Sequence, residues 1–354
     1  MNRIDAAIGS LLGTAVGDSL GLPMEGLSRD RQRRMFPRID GQMLLFGRGM
    51  CSDDTEHTCM VAQAVAMHGR SETAFAASMR WRLRWWLLAL PAGTGFATLR
   101  AILKLWLFVP RRWQGAHSAG KGAAMRSALL GVLFADDAVR LRVFVKASTL
   151  LTHRDPKAEC AALAVALAAR EASQDRHVPA DYVELLRSEL SPFGQAGAEL
   201  VMLVERAAAS AGAAGSTEEF AASLGLAKGV SGYAYHTVPV SLHGWFAHPR
   251  DYAGAVRGVI RCGGDTDTAA AIAGGVVGAG VGRSGIPAPW LDRLVEWPSS
   301  VRWMERLAGD AVRRLDDLPI APRMGRAALF ILPRNLLFLG VVLAHGFRRL
   351  LPPY

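Results

Sequence analysis

The stretch IDAAIGSLLGTAVGDSLG, residues 4–21, predicts the kind of fold that this chain adopts. Its apolar residues recur at three- and four-residue spacing, which is typical of one face of an α-helix. A second stripe along the same helix consists of Gly9, Gly13, Gly17 and Gly21. Because glycine weakens a helix, such a stripe indicates that another helix approaches closely there.

The same helical periodicity dominates the rest of the chain. Ala-rich segments of this kind cover residues 158–172, 196–211 and 269–281. Valine- and isoleucine-rich alternation long enough for a sheet does not occur, and such alternation is the usual sign of strands. The sequence therefore predicts an all-α protein.

Two acidic tetrads lie far apart in the chain, each just before an apolar helical run. They are SDDT at residues 52–55 and DTDT at residues 265–268. Either alone has a simple interpretation as a helix N-cap, and Asp53 with Glu56 approximates a capping box. Capping does not explain two such tetrads, or two adjacent aspartates at one helix start. Alternating Asp and hydroxyl oxygens are hard ligands for Mg²⁺ or Mn²⁺, so the tetrads predict one composite metal site.

Composition and charge limit the classes of function. Of 354 residues, 51% are hydrophobic and 20% charged, as in globular proteins. The net charge of +10 favours an anionic partner, but the basic clusters lack interleaved aromatic residues, so nucleic-acid binding is not expected. The four cysteines form no CxxC pair, which argues against a zinc site or a disulfide scaffold. The N-terminus is typical of a mature helix, which predicts a cytoplasmic protein.

The apolar segment 327–347 approaches the length of a membrane span, but Pro333, Arg334 and Asn335 interrupt it. The sequence favours a pair of helices packed on the protein. Peripheral membrane contact, with Arg348 and Arg349 at the lipid headgroups, and a true span are the alternatives. We therefore predict a main domain over residues 1–320 and an apolar helical extension over residues 321–354.

Five motifs, in the same order, resemble the ADP-ribosylglycohydrolase family. They are GSLLGTAVGDSLGLPMEG at residues 9–26, the two tetrads, SAGKGAAMRSALLG at residues 118–131 and LTHRDPKAECAALAVALA at residues 151–168. The resemblance implies an orthogonally packed all-α bundle with two Mg²⁺ or Mn²⁺ ions in a central cleft. The metal ligands that it implies are Ser52, Asp53, Asp54, Asp265, Asp267 and Thr268.

The resemblance also implies a reaction, hydrolysis of the glycosidic bond between ADP-ribose and a modified protein side chain or a related conjugate. Such cleavage passes through an oxocarbenium-like transition state, and two metal ions can hold the ribose hydroxyls and acidify a water. Glu25 and Asp54 are the catalytic residues that it implies. Glu25 would polarise the water or the departing group.

The small-residue loop at Gly120, Lys121 and Gly122 is suited to bind the pyrophosphate, through backbone N–H groups and the lysine charge. The resemblance places His153 near the nucleotide. A flexible helix lead-in and a structural histidine are the simpler alternatives for these two features. Asp18 is expected to brace the fold rather than bind metal.

The chain departs from the family pattern at three places. Lys121 stands where the family usually has Asn, and Ser52 where Thr is common, and Ala92–Gly93 where many members have an acidic residue before a glycine turn. Two other functions therefore stay open. One is a non-catalytic binding protein, such as an immunity factor against an ADP-ribosylating toxin; the other is a hydrolase of small ADP-ribosyl metabolites.

Overall fold

The computed structural model describes residues 1–320 and 328–352 of the chain. Its α-helices are α1 (Arg3–Gly21), α2 (Arg29–Met35), α3 (Asp53–His68), α4 (Glu72–Leu88), α5 (Phe96–Trp106), α6 (Ala128–Leu133), α7 (Ala138–Leu150), α8 (Pro156–Ser173), α9 (Pro179–Leu190), α10 (Gln195–Gly212), α11 (Thr217–Ser223), α12 (Ala234–Ala247), α13 (Tyr252–Ile260), α14 (Thr266–Val281), α15 (Ala288–Asp292), α16 (Val301–Leu315) and α17 (Ile331–Arg348). The described residues form isolated β-bridges but no sheet. The all-α prediction is therefore confirmed.

The glycine stripe of α1 packs directly on the backbone of α14. A Cβ atom added to Gly13 would lie 2.2 Å from the carbonyl oxygen of Gly274, and one added to Gly17 would lie 2.2 Å from that of Ala270. No side chain fits at such a distance, so glycine is required on this face of α1. The predicted close approach of a second helix is confirmed. It sets the C-terminal end of α1 beside the N-terminal end of α14, where Gly21 faces Thr266.

Helix α14 is buried along almost its whole length. It packs against α1, α8, α12 and α13, and its residues from Thr266 to Ala279 are buried. The three Ala-rich segments of the sequence correspond to α8, α10 and α14. Small side chains let these helices pack closely together. This close packing holds the start of α14 in the interior of the protein.

Helix α3 carries the first tetrad to the same place. It packs against α1, α4, α14 and α16. Its first residues therefore meet the end of α1 and the start of α14. Two segments that are remote in sequence thus begin helices side by side, as the metal-site interpretation requires.

The C-terminal apolar segment forms one α-helix after a short 3₁₀ turn at Ala328–Phe330, where the sequence predicted a pair of helices. Pro333 does not break α17, because it is the third helical residue and the N–H groups of the first turn need no helical partner. Arg334, Asn335, Phe338 and Val341 are buried against the rest of the protein. Residues 321–327, where the predicted extension begins, lie outside the described residues. Within residues 1–320 and 328–352, no helix is long and apolar enough to cross a bilayer.

Candidate active site

The first tetrad is placed by a helix cap that uses one of its residues. Ser52 is the N-cap of α3, and its hydroxyl accepts a hydrogen bond from the Asp54 backbone N–H at 3.4 Å. The predicted capping box between Asp53 and Glu56 is wrong. Glu56 instead accepts a hydrogen bond from Trp86 Nε1 at 2.6 Å. Capping thus accounts for Ser52 and leaves both aspartates for another purpose.

Asp18, near the end of α1, holds this helix start in position. Its carboxylate accepts hydrogen bonds from the backbone N–H of Ser52 at 2.9 Å and of Thr55 at 3.2 Å, and from Thr55 Oγ1 at 2.5 Å. Burial raises the pKa of Asp18 to about 7, although these donors oppose the shift. The bracing role expected of Asp18 is what these contacts describe.

The second tetrad follows a tight turn at Gly263 and Gly264, whose φ values are +69° and +75°. The Gly264 N–H donates to the Leu27 carbonyl at 2.9 Å, and the Asp265 N–H donates to the Val230 carbonyl at 2.8 Å. Residues other than glycine rarely adopt a positive φ, so the glycine pair allows the chain to turn here. Asp265 occupies the N-cap position of α14, but among the described residues its side chain makes no capping hydrogen bond.

The two tetrads meet through side-chain hydrogen bonds. Thr268 Oγ1 donates to Asp54 Oδ2 at 2.9 Å, and Ser52 Oγ donates to the same oxygen at 3.2 Å. Carboxylate oxygens of Glu25, Asp265 and Asp267 lie within 4.8 Å of one another beside this pair. The predicted ligand residues of α3 and α14 are therefore close neighbours, together with Glu25 from the turn after α1.

Several oxygens of this acidic cluster have no partner. Asp54 Oδ1, Asp265 Oδ2 and Asp267 Oδ1 are buried and accept no hydrogen bond from any described residue. An unpaired buried carboxylate oxygen is costly, whereas a hard divalent cation binds such oxygens well. The residues present thus fit a site for a hard divalent cation.

Burial and neighbouring carboxylates raise the pKa values of Glu25, Asp53, Asp54 and Asp265. The Asp267 carboxylate, followed by burial, raises the pKa of Glu25 to about 8. Burial raises the pKa of Asp265 to about 6, and it raises those of Asp53 and Asp54 well above the usual range. Cations in the cluster oppose such shifts, so the cluster is arranged to attract positive charge.

Lys121 supplies one such charge from the chain itself. Its ammonium group forms an ion pair with Asp265 Oδ1. Burial lowers the pKa of Lys121, but Asp265, Asp267 and Asp54 outweigh burial and raise it above the usual range. Lys121, which the sequence predicted to bind the pyrophosphate, thus contacts the acidic cluster.

The cluster opens into a cleft of about 450 Å³. The predicted site residues that line it are Glu25, Ser52, Asp53, Gly120, Lys121, Gly122, His153, Asp267 and Thr268. Asp54 and Asp265 lie behind this lining and contact it through Thr268 and Lys121. All the predicted site residues are therefore brought to one cleft or to its wall.

His153 lies in the cleft wall as a neutral side chain. Its Nδ1 is 2.9 Å from Thr152 Oγ1, and burial, followed by the charge of Arg126, lowers its pKa to about 3. Arg126 is itself buried, and it donates to Thr152 Oγ1 and to the Ser148 carbonyl, each at 2.8 Å. A neutral His153 can offer a ligand a hydrogen bond but no positive charge.

Sequence reasoning missed the apolar side of the cleft. Leu22, Ala92, Phe96, Phe338 and Val342 contribute to it. Leu22 lies in the motif at residues 9–26, three residues before Glu25, and this proximity was a usable signal. Phe338 and Val342 come from α17, and no local pattern indicates which part of the protein a C-terminal helix will cover.

Comparisons with known proteins agree with this geometry. The family model for ADP-ribosylglycohydrolase matches residues 1–319. The chain is 28% identical over 290 residues to an uncharacterised protein of Archaeoglobus fulgidus, covering 80% of this chain and 90% of that protein. It is 24% identical over 303 residues to the ADP-ribosyl-[dinitrogen reductase] glycohydrolase of Rhodospirillum rubrum, covering 82% of this chain and 90% of that protein.

A further relative is the ADP-ribosylarginine hydrolase Tri1 of Serratia proteamaculans, 24% identical over 311 residues, which cover 83% of this chain and 76% of that protein. A solved structure described as an ADP-ribosylglycohydrolase-related protein complex superposes with a TM-score of 0.64 and 26% identity. It covers 88% of this chain and 99% of the solved chain. The motifs, the convergent acidic cluster and the family match agree, and the chain belongs to the ADP-ribosylglycohydrolase family.

Proposed function

We propose that this protein is a divalent-metal-dependent hydrolase that cleaves the glycosidic bond between ADP-ribose and a modified protein side chain or a related conjugate. The observation that carries the proposal is the convergence of Glu25 and both tetrads at one cleft, with buried carboxylate oxygens left unpaired. The family relationship supports the same reaction class, because two of the relatives are named as hydrolases of ADP-ribosylated targets.

The residues that would hold two Mg²⁺ or Mn²⁺ ions are Ser52, Asp53, Asp54, Asp265, Asp267 and Thr268. Their oxygen-only donor set suits hard cations. What bound metal supplies at such a site is positive charge that holds the ribose hydroxyls and acidifies a nearby water. The chain's own residues perform the remaining tasks.

Glu25 is the acid of the cluster that is most exposed to the cleft. Its carboxyl group is therefore placed to exchange a proton with water or with the departing atom, which is the role of a general acid–base. Asp54 is buried and bonded to Ser52 and Thr268. In this proposal Asp54 contributes to catalysis by holding metal and by fixing these two hydroxyls.

The other end of the substrate would meet the loop at Gly120, Lys121 and Gly122. Small residues leave backbone N–H groups accessible to phosphate oxygens, and His153 lies beside both glycines. We propose that this side of the cleft binds the pyrophosphate and nucleoside. We also propose that the protein is cytoplasmic and that it consists of a main domain over residues 1–320 and an extension over residues 321–354.

A non-catalytic binding protein remains the alternative, and the ion pair between Lys121 and Asp265 is the observation in its favour. In this pair the lysine ammonium group neutralises the charge of a proposed metal ligand, so the cleft could bind ADP-ribose without a metal ion. Hydrolysis is the better-supported proposal because all the ligand-type side chains and Glu25 are retained.

Release of ADP-ribose from arginine-linked and serine-linked peptides tests the proposal. We expect release with Mg²⁺ or Mn²⁺, loss of release with EDTA, and loss in Asp267→Asn, while a surface variant such as Arg348→Gln retains activity. Failure to release ADP-ribose from any linkage, with metal binding intact, would contradict the proposal and favour the binding protein.

A further inference from the structure

Helix α17 begins after the family match ends at residue 319 and yet forms part of the catalytic cleft. Phe338 and Val342 line this cleft together with Glu25 and Asp267. One side of the cleft is therefore formed by a segment that lies outside the family match.

Buried polar contacts hold α17 against the main body. Arg334 Nη2 donates to Glu296 Oε2 at 2.7 Å and to the Cys51 carbonyl at 2.6 Å. Asn335 Nδ2 donates to the Ala89 carbonyl at 2.7 Å. Both side chains are at most 2% exposed. These contacts fix the rotation of α17, and with it the side chains that face the cleft.

The residues that α17 presents there complete an apolar surface. Phe338 clusters with Leu22, and Ala92 and Val342 pack against the same cluster. We call these four cleft-lining residues the α17 wall. Leu22 is three residues from Glu25, so this part of the wall belongs to the same turn as the proposed general acid–base.

Arg349, just after α17, donates to backbone carbonyls of the turn that carries Glu25. Its Nη1 donates to the Glu25 carbonyl at 2.6 Å, and its Nη2 donates to the carbonyls of Pro23 at 3.1 Å and Leu22 at 3.4 Å. The side chain lies close enough to act electrostatically on Glu25 and Asp267. The backbone acceptors of this turn are thus already bonded to a guanidinium group of the protein.

We propose that α17 and Arg349 select ADP-ribosyl conjugates whose leaving group is neutral, such as a hydroxyl-linked side chain, and disfavour guanidinium-linked ones. This inference rests on the proposed hydrolase function, which places the departing group beside Glu25. A substrate guanidinium carries five N–H donors in a rigid fork. At this position the Glu25 carboxyl group can accept from part of this fork. The side chains of the α17 wall accept no hydrogen bonds, and Arg349 already uses the carbonyls of the turn.

Charge acts in the same direction. The guanidinium of Arg349 is permanently protonated and stands at the turn that a second guanidinium would approach. Like charges in a partly buried site disfavour each other, and unpaired buried donors weaken binding further. A neutral leaving group avoids both penalties and gains apolar contact with Phe338 and Val342.

The test compares two peptides of the same sequence, one ADP-ribosylated through serine oxygen and one through arginine nitrogen. For the wild-type protein with Mg²⁺ or Mn²⁺ we expect kcat/KM to favour the serine-linked peptide by about tenfold or more. Arg349→Gln should reduce this ratio by about tenfold, whereas Arg348→Gln, an exposed neighbour, should leave it unchanged. Val342→Glu should raise arginine-linked turnover, and Leu343→Glu, which faces solvent, should not.

Preference for the arginine-linked peptide in the wild-type protein, or an unchanged ratio in Arg349→Gln with a normal melting temperature, would overturn the inference while leaving the hydrolase function intact. Cleavage of neither peptide would overturn the function instead. Calorimetric binding of the two intact peptides then tests the selectivity by itself, with tighter binding of the serine-linked peptide expected and equal binding contradicting it.

Discussion

The ammonium group of Lys121 forms an ion pair with Asp265, one of the proposed metal ligands. It also acts electrostatically on Asp267 and Asp54, so the side chain supplies positive charge to the same carboxylates that would bind metal. A divalent cation entering the cluster must therefore compete with a cation that belongs to the chain. This relationship makes metal affinity a direct measure of what Lys121 does.

We expect Lys121→Asn to bind Mn²⁺ more tightly than the wild-type protein. Removing the competing charge frees Asp265, and a tenfold decrease in Kd corresponds to about 1.4 kcal/mol. Isothermal titration calorimetry measures the change. Lys146→Gln, an exposed lysine of α7, is the matched control. Unchanged or weaker Mn²⁺ binding by Lys121→Asn would show that the ammonium group moves aside without cost.

A second prediction concerns repulsion within the acidic cluster. Asp267 is the main cause of the raised pKa of Glu25, so Asp267→Asn should relieve unfavourable charge in the metal-free protein. We expect its metal-free free energy of unfolding to rise by about 1 kcal/mol, while the stabilisation that Mn²⁺ gives the wild-type protein disappears. Thermal melts with EDTA and with Mn²⁺ measure both effects. A metal-free variant that is less stable than the wild-type protein would contradict the repulsion argument.

A third prediction follows from the contact between α1 and α14. Gly17→Ala would place a Cβ atom 2.2 Å from the carbonyl oxygen of Ala270. Relieving this clash requires the backbone of α14 to move, which costs stability. We expect a loss of about 3 kcal/mol in the free energy of unfolding, despite the better helix propensity of alanine. Gly309→Ala, in the interior of α16, has no atom closer than 3.8 Å to the new Cβ. This control should gain up to about 1 kcal/mol in urea denaturation, and equal effects at the two sites would contradict the packing argument.

A fourth prediction concerns pH. Burial lowers the pKa of His153 to about 3, against about 6.5 for an unfolded chain. Between these pH values the His153 side chain binds a proton in the unfolded chain but not in the folded protein. The stability that the neutral His153 contributes is therefore fully present above pH 6.5 and is lost as the pH falls. The loss attributable to His153 between pH 7 and pH 5 is about 2 kcal/mol. Urea denaturation of the wild-type protein and His153→Gln at both pH values isolates this part, and the exposed His117→Gln serves as control. An identical pH dependence in all three proteins would contradict a neutral buried His153.

The sequence revealed the features that depend on local pattern or on repetition. The glycine stripe of α1 predicted a close helix contact, because four glycines at helical spacing have little other use in a helix. The duplicated tetrads predicted that α3 and α14 begin side by side. Asp18 and Glu25 were found through the motifs that contain them. The glycine stripe and the tetrads needed only spacing and residue chemistry, whereas Glu25 depended on the resemblance to the family.

Features that depend on long-range packing escaped the sequence. Glu56 stands at the right spacing for a capping box, but a nearby Trp86 offers its indole N–H, and this tertiary partner replaces the local one. Pro333, Arg334 and Asn335 interrupt the apolar character of the C-terminal segment. Arg334 and Asn335 are nevertheless buried, because Glu296 and the Ala89 carbonyl, both remote in sequence, accept their hydrogen bonds. Which acceptors a polar side chain will meet is decided by the whole fold.

The last prediction tests the attachment of α17. Arg334 is buried between Glu296 and Glu56, with Nη1 3.7 Å from Glu56 Oε1. Arg334→Met keeps an unbranched apolar stem but leaves these carboxylates without their cation, and breaking a buried ion pair in this way costs about 3 kcal/mol or more. We expect that loss in urea denaturation, together with faster amide hydrogen exchange in α17. Arg348→Met, on the same helix but exposed, should change stability by less than about 0.5 kcal/mol. Exchange in α17 that stays slow in Arg334→Met would mean that apolar contacts of Phe338 and Val341 alone hold the helix in place, and the cleft wall would then be independent of the ion pair.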